Sequence, residues 1–175
     1  MTARVVATHV WPDAEESPVP CEELVLDWGG PVGDRHHGLT MLSNTRQRAV
    51  FERGTEIRNH RQLSLVDESE LAEIAEALGL TALAPGVIAD NICTQGIPDL
   101  TGLPRMTRMV FTGGAVIMLG GENNPCAIAG ELVAGRYDTS PEAFPKAAIH
   151  RRGVTGWVEH PGIVRPGEQV TLHLP

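Results

Sequence analysis

Aromatic side chains are scarce in this chain of 175 residues, where Phe, Trp and Tyr together make up 4%. So few rings leave little surface on which the bases of single-stranded nucleic acid could stack. Positive charge is also in deficit, since 14 Lys and Arg stand against 22 Asp and Glu and give a formal net charge of -8. A phosphate backbone calls for a basic face. The composition therefore argues against nucleic acid as a partner, although local arginines could still bind one small anion.

Long hydrophobic runs are absent as well, and no stretch approaches the roughly 20 apolar residues of a membrane-spanning helix. The N-terminus leads directly into an alternating stretch and lacks an apolar core followed by a small-residue cleavage site. We therefore expect a cytoplasmic protein without membrane contact. Hydrophobic residues at 42% and charged residues at 21% are ordinary globular values. This length predicts a single domain over residues 1–175.

Cysteines are few and unpaired in sequence, since Cys21, Cys93 and Cys126 form no Cys-x-x-Cys motif. An odd number argues against a disulfide framework, and we interpret Cys21 and Cys93 as structural. Cys126 differs because it follows Asn124 and Pro125, which favour the N-cap and first position of a helix. This pattern predicts Cys126 in the first turn of a short helix. There the helix dipole favours a thiolate, a nucleophile or soft metal ligand, although a small buried hydrophobe is the alternative.

Short strands separated by proline and glycine turns dominate the remaining pattern. Together with few helices, they predict a mainly β fold, a barrel or sandwich with short helical inserts. The clearest helix follows Asp67, which can form a capping box with Glu70 and precedes an apolar stripe ending at Gly79. We expect its charges on a solvated face, namely Glu68, Glu70, Glu73 and Glu76. The predicted strands cover 4–10, 24–28, 62–66, 87–93, 108–111, 115–119, 153–159, 163–165 and 169–174.

Two polar stretches are candidates for a binding site. The loop Gly33–Gly38 reads Gly-Asp-Arg-His-His-Gly, whose glycines permit close approach of backbone and whose side chains offer an acceptor, a cation and donors. A solvated turn is the alternative. His36 and His37 would point to opposite faces of a strand, which argues against shared ligation of one zinc ion. Asp90 and Asn91 interrupt an apolar run and are either a structural hydrogen-bonding pair or ligand contacts.

Residues 43–61 are polar and rich in arginine, which predicts an exposed insertion. With Arg151 and Arg152, Arg61 is a weaker candidate for binding an anion, because exposed arginines usually belong to a solvated surface.

Four stretches, taken in order, resemble the MOSC family, the domain found at the C-terminus of molybdenum cofactor sulfurases and in stand-alone bacterial proteins. One departure is visible, because this chain has Ala89-Asp90-Asn91 where the family usually has Gly-Glu-Asn. The shorter carboxylate keeps the charge and changes its reach. The four stretches are 33–38, 85–92, 124–126 and the pair of strands from Gly156 through Glu168.

The resemblance implies a MOSC-type β-barrel and a cysteine, by matching position Cys126, that binds molybdenum directly or carries sulfur as a persulfide. The molybdenum cofactor is a pterin with a terminal phosphate and a dithiolene, so a binding site needs cations and hydrogen-bond donors. By the same resemblance, the matching motifs supply the cofactor-binding candidates, which are Arg35, His36, His37, Asp90, Asn91 and Asn124.

Three functions remain open at this point. The first is a molybdenum-dependent reductase of N-hydroxylated compounds, an activity implied by similarity to some relatives. It would need an external electron donor, because the sequence shows neither a Cys₄ iron–sulfur pattern nor a Gly-x-Gly-x-x-Gly fingerprint. The second is a sulfur carrier or cofactor-delivery protein that uses a Cys126 persulfide and a separate sulfur donor, since no pyridoxal-phosphate domain fits this length. The third is a non-catalytic binding module for the cofactor or another small anion. Monomer and dimer are both compatible with the sequence.

Overall fold

The computed structural model describes residues 3–175. This part of the chain contains thirteen β-strands and three α-helices. The helices are α1 (Glu68–Ala77), α2 (Ala127–Ala134) and α3 (Ala143–Ala147). None of the helices in these residues is long and apolar enough to cross a membrane. The strands are β1 (Ala3–Val10), β2 (Val19–Pro20), β3 (Leu24–Asp27), β4 (Gly30–Pro31), β5 (Thr40–Leu42), β6 (Glu56–Arg58), β7 (Leu63–Asp67), β8 (Ile92–Gln95), β9 (Arg108–Phe111), β10 (Val116–Glu122), β11 (Val154–His160), β12 (Gly162–Val164) and β13 (Gln169–His173).

Seven strands form a closed barrel in the order β13-β9-β10-β11-β7-β8-β1, with β1 pairing back onto β13. Closure leaves no free edge among these seven strands. Every pairing in the ring is antiparallel except β7 with β8, which is parallel and therefore needs the crossover that contains α1. The mainly β barrel with short helical inserts is confirmed.

Two apolar cores lie on either side of the barrel wall. Successive side chains of a strand point to opposite faces, so on β7 the buried Leu65 belongs to the barrel interior while Val66 packs under the helices. The second core joins the apolar stripe of α1 to α2 and α3, through residues such as Ile74, Val133 and Phe144. The helices are thus anchored to the outside of the barrel near its β7 and β8 strands.

The helix α1 begins as predicted, because the side chain of Asp67 accepts from the N–H of Ser69 and Glu70 completes the capping box. The prediction of a solvated face was wrong for Glu70, which is 3% exposed. Its Oε1 accepts from the backbone N–H of Thr101 at 2.7 Å. The carboxylate therefore connects the start of the helix to the loop before β9.

The predicted strand over 87–93 was also wrong in its first half, since β8 starts only at Ile92. The side chain of Asp90 folds back and accepts from the N–H of Gly86 with both oxygens, at 2.8 and 2.9 Å. Ala89 adopts a φ of 65° in this turn. A local side-chain to backbone contact thus replaces strand pairing here.

The predicted exposed insertion over residues 43–61 is mostly exposed and belongs largely to a projecting hairpin, although Asn59 is buried and Arg61 is half-buried at its base. The strands β5 and β6 pair only with each other in the described sheets, and a 3₁₀ turn at Thr45–Gln47 follows β5. Asn44 caps that turn by accepting from the N–H of Arg46. Residues 40–58, called the β5–β6 hairpin below, form one wall of the site described next.

Candidate functional site

A cleft of about 410 Å³ opens between the β5–β6 hairpin and one end of the barrel. Its lining contains four arginines and two histidines but no Asp or Glu among the described residues. This is unusual in a chain whose acidic residues outnumber its basic ones by 22 to 14. The cleft therefore presents a locally positive surface within an acidic protein.

Cys126 lies in this cleft and is half-buried. The helix α2 begins at Ala127, so Cys126 is the N-cap residue with extended backbone and does not lie in the first turn, as the sequence pattern predicted. The side chain of Cys126 does not cap the helix with a hydrogen bond. Proline at position 125 lies one residue before the N-cap instead of at the first helical position, and the carbonyl of Asn124 accepts from Arg152.

Arg152 is the closest charged partner of the thiol, with its Nη1 3.3 Å from Cys126 Sγ. Burial alone would raise the pKa of Cys126, but the positive charge and hydrogen bond of Arg152 outweigh it, with help from the N–H of Ala129 and from Arg46. The pKa of Cys126 is consequently lowered below its ordinary value. The cysteine is therefore disposed to be a thiolate, the form that ligates soft metals and attacks sulfur.

The side chain of Arg152 is itself buried, at 6% exposure. Its Nη1 also donates to the carbonyl of Asn124 at 2.8 Å, and its Nη2 donates to the carbonyl of Ile88 at 3.2 Å. The Nε has no hydrogen-bond partner although it is buried. Arg152 thus holds together the 86–91 turn, the cysteine segment and the start of β11 without a carboxylate partner.

Arg61 is a second arginine that lines the cleft. Its Nη2 donates to Asn123 Oδ1 at 3.0 Å and its Nη1 to Thr155 Oγ1 at 3.2 Å. Burial, and then the like charges of Arg46 and Arg152, lower the pKa of Arg61 to about 10. Both hydrogen-bond partners of the guanidinium are neutral, so neither balances its charge.

The three residues Arg46, Arg61 and Arg152 share one electrostatic feature. No Asp or Glu oxygen in residues 3–175 lies within 4.0 Å of any of them. They influence one another and Cys126 through their charges. We call them the arginine cluster.

The Asp34 carboxylate organises the loop 33–38 from inside. It accepts from the N–H of Trp11, from Asn91 Nδ2, and from both the N–H and the Nδ1 of His36, at 2.8 to 3.0 Å. Burial would raise the pKa of Asp34, yet these hydrogen bonds from His36 and Trp11 outweigh burial and lower it. The carboxylate therefore fixes His36 at the cleft.

Of the predicted site residues, Arg35, His36, His37 and Asn91 all line the cleft with Cys126. The guanidinium of Arg35, however, lies 3.9 Å from the ring centre of Trp11 and donates to carbonyls of residues 12 and 15. The Nε2 of His37 lies 2.7 Å from Asp27 Oδ1. Both side chains are thus partly engaged by the protein itself.

Two predicted residues do not line the cleft. Asp90 is 2% exposed and lies behind the wall, where it binds Gly86. Asn124 is exposed and contributes its backbone carbonyl to Arg152. In place of Asn124, its neighbour Asn123 faces the cleft.

The weaker arginine candidates divide clearly. Arg61 and Arg152 belong to the cleft, whereas Arg151 is turned outward and pairs with Glu73 at 2.8 Å.

Two residues that line the cleft, Arg46 and Thr155, were not predicted from the sequence. Arg46 was one of five arginines in the insertion, and nothing in the sequence distinguished it from the others. Thr155 carried no signal, because its role depends on barrel register.

Metal-binding capacity of the protein alone is low in the described part of the chain. No group of three or more His, Cys, Asp or Glu side chains there is arranged to hold a metal ion. His36 and His37 face different carboxylates, Asp34 and Asp27. A metal in this cleft would therefore need ligands that the chain does not supply.

Comparison with known proteins assigns the family. The MOSC domain model matches residues 33–171. The Bacillus subtilis (strain 168) protein YuaD, named for metal-sulfur cluster biosynthesis, is 36% identical over 176 residues, covering 99% of this chain and 91% of YuaD. The crystal structure of YuaD superposes with a TM-score of 0.94 at 35% identity, covering 100% of this chain and 97% of the other.

A more distant structure shares the fold alone. The crystal structure of YiiM from Escherichia coli has a TM-score of 0.63 at 17% identity, covering 100% of this chain and 71% of YiiM. The match of the family model over most of the chain, together with the similarity to YuaD along its whole length, shows that the chain belongs to the MOSC domain family.

Proposed function

We propose that the cleft binds the molybdenum cofactor and that Cys126 is a sulfur ligand of the molybdenum. The observation that carries this proposal is the contact of Arg152 with the Cys126 sulfur inside a cleft lined by arginines and free of described acidic side chains. A soft thiolate suits molybdenum, and the surrounding cations suit the terminal phosphate of the cofactor.

The remaining features fit such a ligand. The cleft volume of about 410 Å³ falls within the range of about 300–1,000 Å³ for small-molecule sites. Arg46 and Arg61 could hold the phosphate, while Asn91, Asn123 and His36 offer polar atoms along the wall. The cofactor would bring two dithiolene sulfurs of its own, which suits a cleft lined by one cysteine, with no metal-binding cluster among residues 3–175. Asp90 and Asn124 contribute to this proposal indirectly, by shaping the wall.

When bound, the molybdenum centre would supply two-electron redox chemistry, and the chain would supply orientation and electrostatics. The reaction we propose is reduction of an N-hydroxylated compound with an external electron donor. Arg152 lowers the pKa of Cys126 by its charge and hydrogen bond, and two carbonyl contacts hold Arg152 itself beside the sulfur. His36, held by Asp34, contributes an imidazole that offers hydrogen-bonding nitrogens at the cleft.

Metal analysis of the purified chain from a host that makes the cofactor tests this function. We expect about one molybdenum per chain and loss of the metal in Cys126→Ala. Cys21→Ala is the matched control, because Cys21 is also a free, half-buried cysteine but does not line the cleft. If the wild type carries no molybdenum, the proposal fails. If Cys126→Ala retains the cofactor and shows no reductase activity with an artificial donor, a non-catalytic binding module is the better description.

A sulfur carrier is the second candidate function, favoured by the partial exposure of Cys126 and by the lowered pKa of its thiol. The name of YuaD, a metal-sulfur cluster biosynthesis protein, points in the same direction for that relative. Cyanide-labile sulfur on Cys126 in protein that lacks molybdenum would support the carrier. A separate protein would then have to donate or accept the sulfur.

A further inference from the structure

The arginine cluster has three guanidinium groups and no carboxylate partner in the described structure. Buried cations are normally paired, because an isolated charge away from water is costly. Arg152 is 6% exposed, and its Nε has no hydrogen-bond partner. Arg61 is directed by two neutral partners, Asn123 and Thr155.

The Cys126 thiol and, from behind the wall, Asp90 offset part of the charge of Arg152. Arg61 and the exposed Arg46, in contrast, are paired with no acid in residues 3–175. The cluster therefore keeps an excess of positive charge that an anion entering the cleft would balance.

The position of the sulfur limits what that anion could be. Arg152 contacts Cys126 Sγ at 3.3 Å, and Arg61 and Arg46 lie near enough for their charges to act on the same thiol. An anion held by Arg46 and Arg61 therefore lies beside a nucleophile. A thiolate attacks sulfur readily, but its negative charge repels an anionic donor unless cations offset the repulsion. The cluster provides such cations.

We propose that Cys126 accepts sulfane sulfur from small anionic donors of the thiosulfate class, with Arg46 and Arg61 holding the oxyanion. The reaction rests on the sulfur-carrier candidate for Cys126 and does not require molybdenum.

The transfer is balanced without an added oxidant or proton. The Cys126 thiolate forms a bond to the outer sulfur of thiosulfate, the S–S bond of the donor breaks, and its electron pair leaves with sulfite. Cys126 becomes a persulfide anion. Cyanide then attacks the terminal sulfur and leaves as thiocyanate, which returns the thiolate. The cations near the sulfur stabilise both the thiolate and the persulfide anion.

The test uses the purified full-length chain and sodium thiosulfate as the probe. Intact-mass measurement should show one added sulfur atom on the wild type and none on Cys126→Ser. Release of thiocyanate from thiosulfate and cyanide should be catalytic. Arg61→Met should raise the KM for thiosulfate about tenfold or more, because a charge-assisted contact is lost. Arg46→Met should act in the same direction.

Two controls separate anion binding from a general loss of structure. Arg151→Met, whose side chain points outward to Glu73, should leave the KM unchanged. Alkylation of Cys126 should distinguish charge from access, since iodoacetate is an anion and iodoacetamide is neutral. The ratio of the two rates should fall in Arg61→Met, whereas a purely structural defect would change both rates together.

Two results would contradict sulfur transfer from thiosulfate to Cys126. No added sulfur on the wild type, or an unchanged KM and alkylation ratio in both arginine variants, would overturn the inference. Molybdenum content is a separate measurement. A chain that binds molybdenum but accepts no sulfur keeps the first proposed function and loses this one, and the reverse result does the opposite.

Discussion

Arg152 carries more of the site than its neighbour Arg151, although the two are adjacent in sequence. One guanidinium is buried against three segments and a sulfur, whereas the other lies at the surface with Glu73. Strand geometry and the turn before β11 determine which of them turns inward. The difference makes the pair a natural comparison for the electrostatics of Cys126.

We predict that Arg152→Met raises the pKa of Cys126, because the largest favourable influence on the thiolate is removed. A higher pKa lowers the fraction of Cys126 that is thiolate near neutral pH, and the thiolate is the form that is alkylated. Alkylation by neutral iodoacetamide should therefore slow by several-fold at pH 7 and recover at high pH. Circular dichroism would verify folding, since two carbonyls lose their donor at a cost of about 1–3 kcal/mol each.

Arg151→Met serves as the control for this prediction, and its profile of alkylation rate against pH should match the wild type. A profile for Arg152→Met that also matches the wild type would show that the thiolate does not depend on Arg152.

Gly153 is a second residue on which the site depends, because it follows Arg152 at the entry to β11. Its φ is +74°, and a Cβ built on it would collide with the carbonyl oxygen of Leu65 on β7. Gly167 has a similar φ of +90° but open space around its Cβ position. The two glycines therefore separate backbone strain from steric collision.

We predict that Gly153→Ala destabilises the fold by about 3 kcal/mol or more, because strain and collision combine. Gly167→Ala should cost about 1 kcal/mol from backbone strain alone. Urea denaturation followed by circular dichroism gives both free energies of unfolding. Equal losses in the two variants would mean that β11 can move away from β7 without cost.

At the scale of elements, the helix α1 is tied to the barrel through buried acids at its first turn. Asp67 accepts from the N–H of Ile97 and the hydroxyl of Thr94, and Glu70 accepts from the N–H of Thr101. Burial, with a smaller effect from Asp67, raises the pKa of Glu70, although the hydrogen bonds partly oppose the shift. The charged form of Glu70 is therefore less favourable in the folded state than in the unfolded state.

This shift predicts a specific pH dependence. Below the ordinary value of 4.5, Glu70 is protonated in both states. As pH rises above 4.5, the unfolded chain loses its proton first, so the contribution of Glu70 to stability declines until the pH passes its folded-state pKa. The free energy of unfolding of the wild type should therefore fall relative to that of Glu70→Gln over this window.

Urea denaturation at several pH values measures that difference. Glu76→Gln is the matched control, since Glu76 is exposed on the same helix, and its difference from the wild type should show no such decline. If the free energy of unfolding of the wild type instead rises with pH relative to that of Glu70→Gln, the pKa of Glu70 is lowered and not raised on folding.

Several elements could be predicted from local sequence alone. The capping box at Asp67 and the strand pair around residues 108–119 depend on neighbours within a few positions, and both are confirmed. The start of α2 was predicted two residues too early, and the strand predicted from Val87 begins only at Ile92. Both errors occur where a contact with Arg152 or Gly86 overrides local preference, and such contacts carry no local pattern.

At the scale of the whole molecule, the site depends on contacts between residues far apart in sequence. Arg61 reaches Asn123 and Thr155, and Arg152 reaches Ile88, between segments in or next to the neighbouring strands β10, β11, β7 and β8. The sequence predicted Cys126, the polar loop and Asn91 at the site, because each belongs to a recognisable motif. It could not select Arg46 among several arginines or place Asp90 behind the wall, since strand order and register decide both.

The β5–β6 hairpin is separable from the barrel and yet forms one wall of the cleft. Only Ser43 is buried between residues 41 and 57, and neither apolar core includes a residue from this stretch. Thr40 and Arg58 are paired across the base of the hairpin. A two-residue Asn-Gly turn could therefore join them directly.

We predict that replacing residues 41–57 by Asn-Gly leaves cooperative unfolding intact and changes the free energy of unfolding by less than about 1 kcal/mol, since no core side chain is lost. The same variant removes Arg46 from the cleft and leaves Arg61 and Arg152 in place. Its ratio of iodoacetate to iodoacetamide alkylation at Cys126 should therefore fall as far as in the full-length Arg46→Met protein. A larger fall would mean that the hairpin excludes water or shapes the cleft beyond supplying one charge, and loss of cooperative unfolding would mean that the barrel needs it to fold.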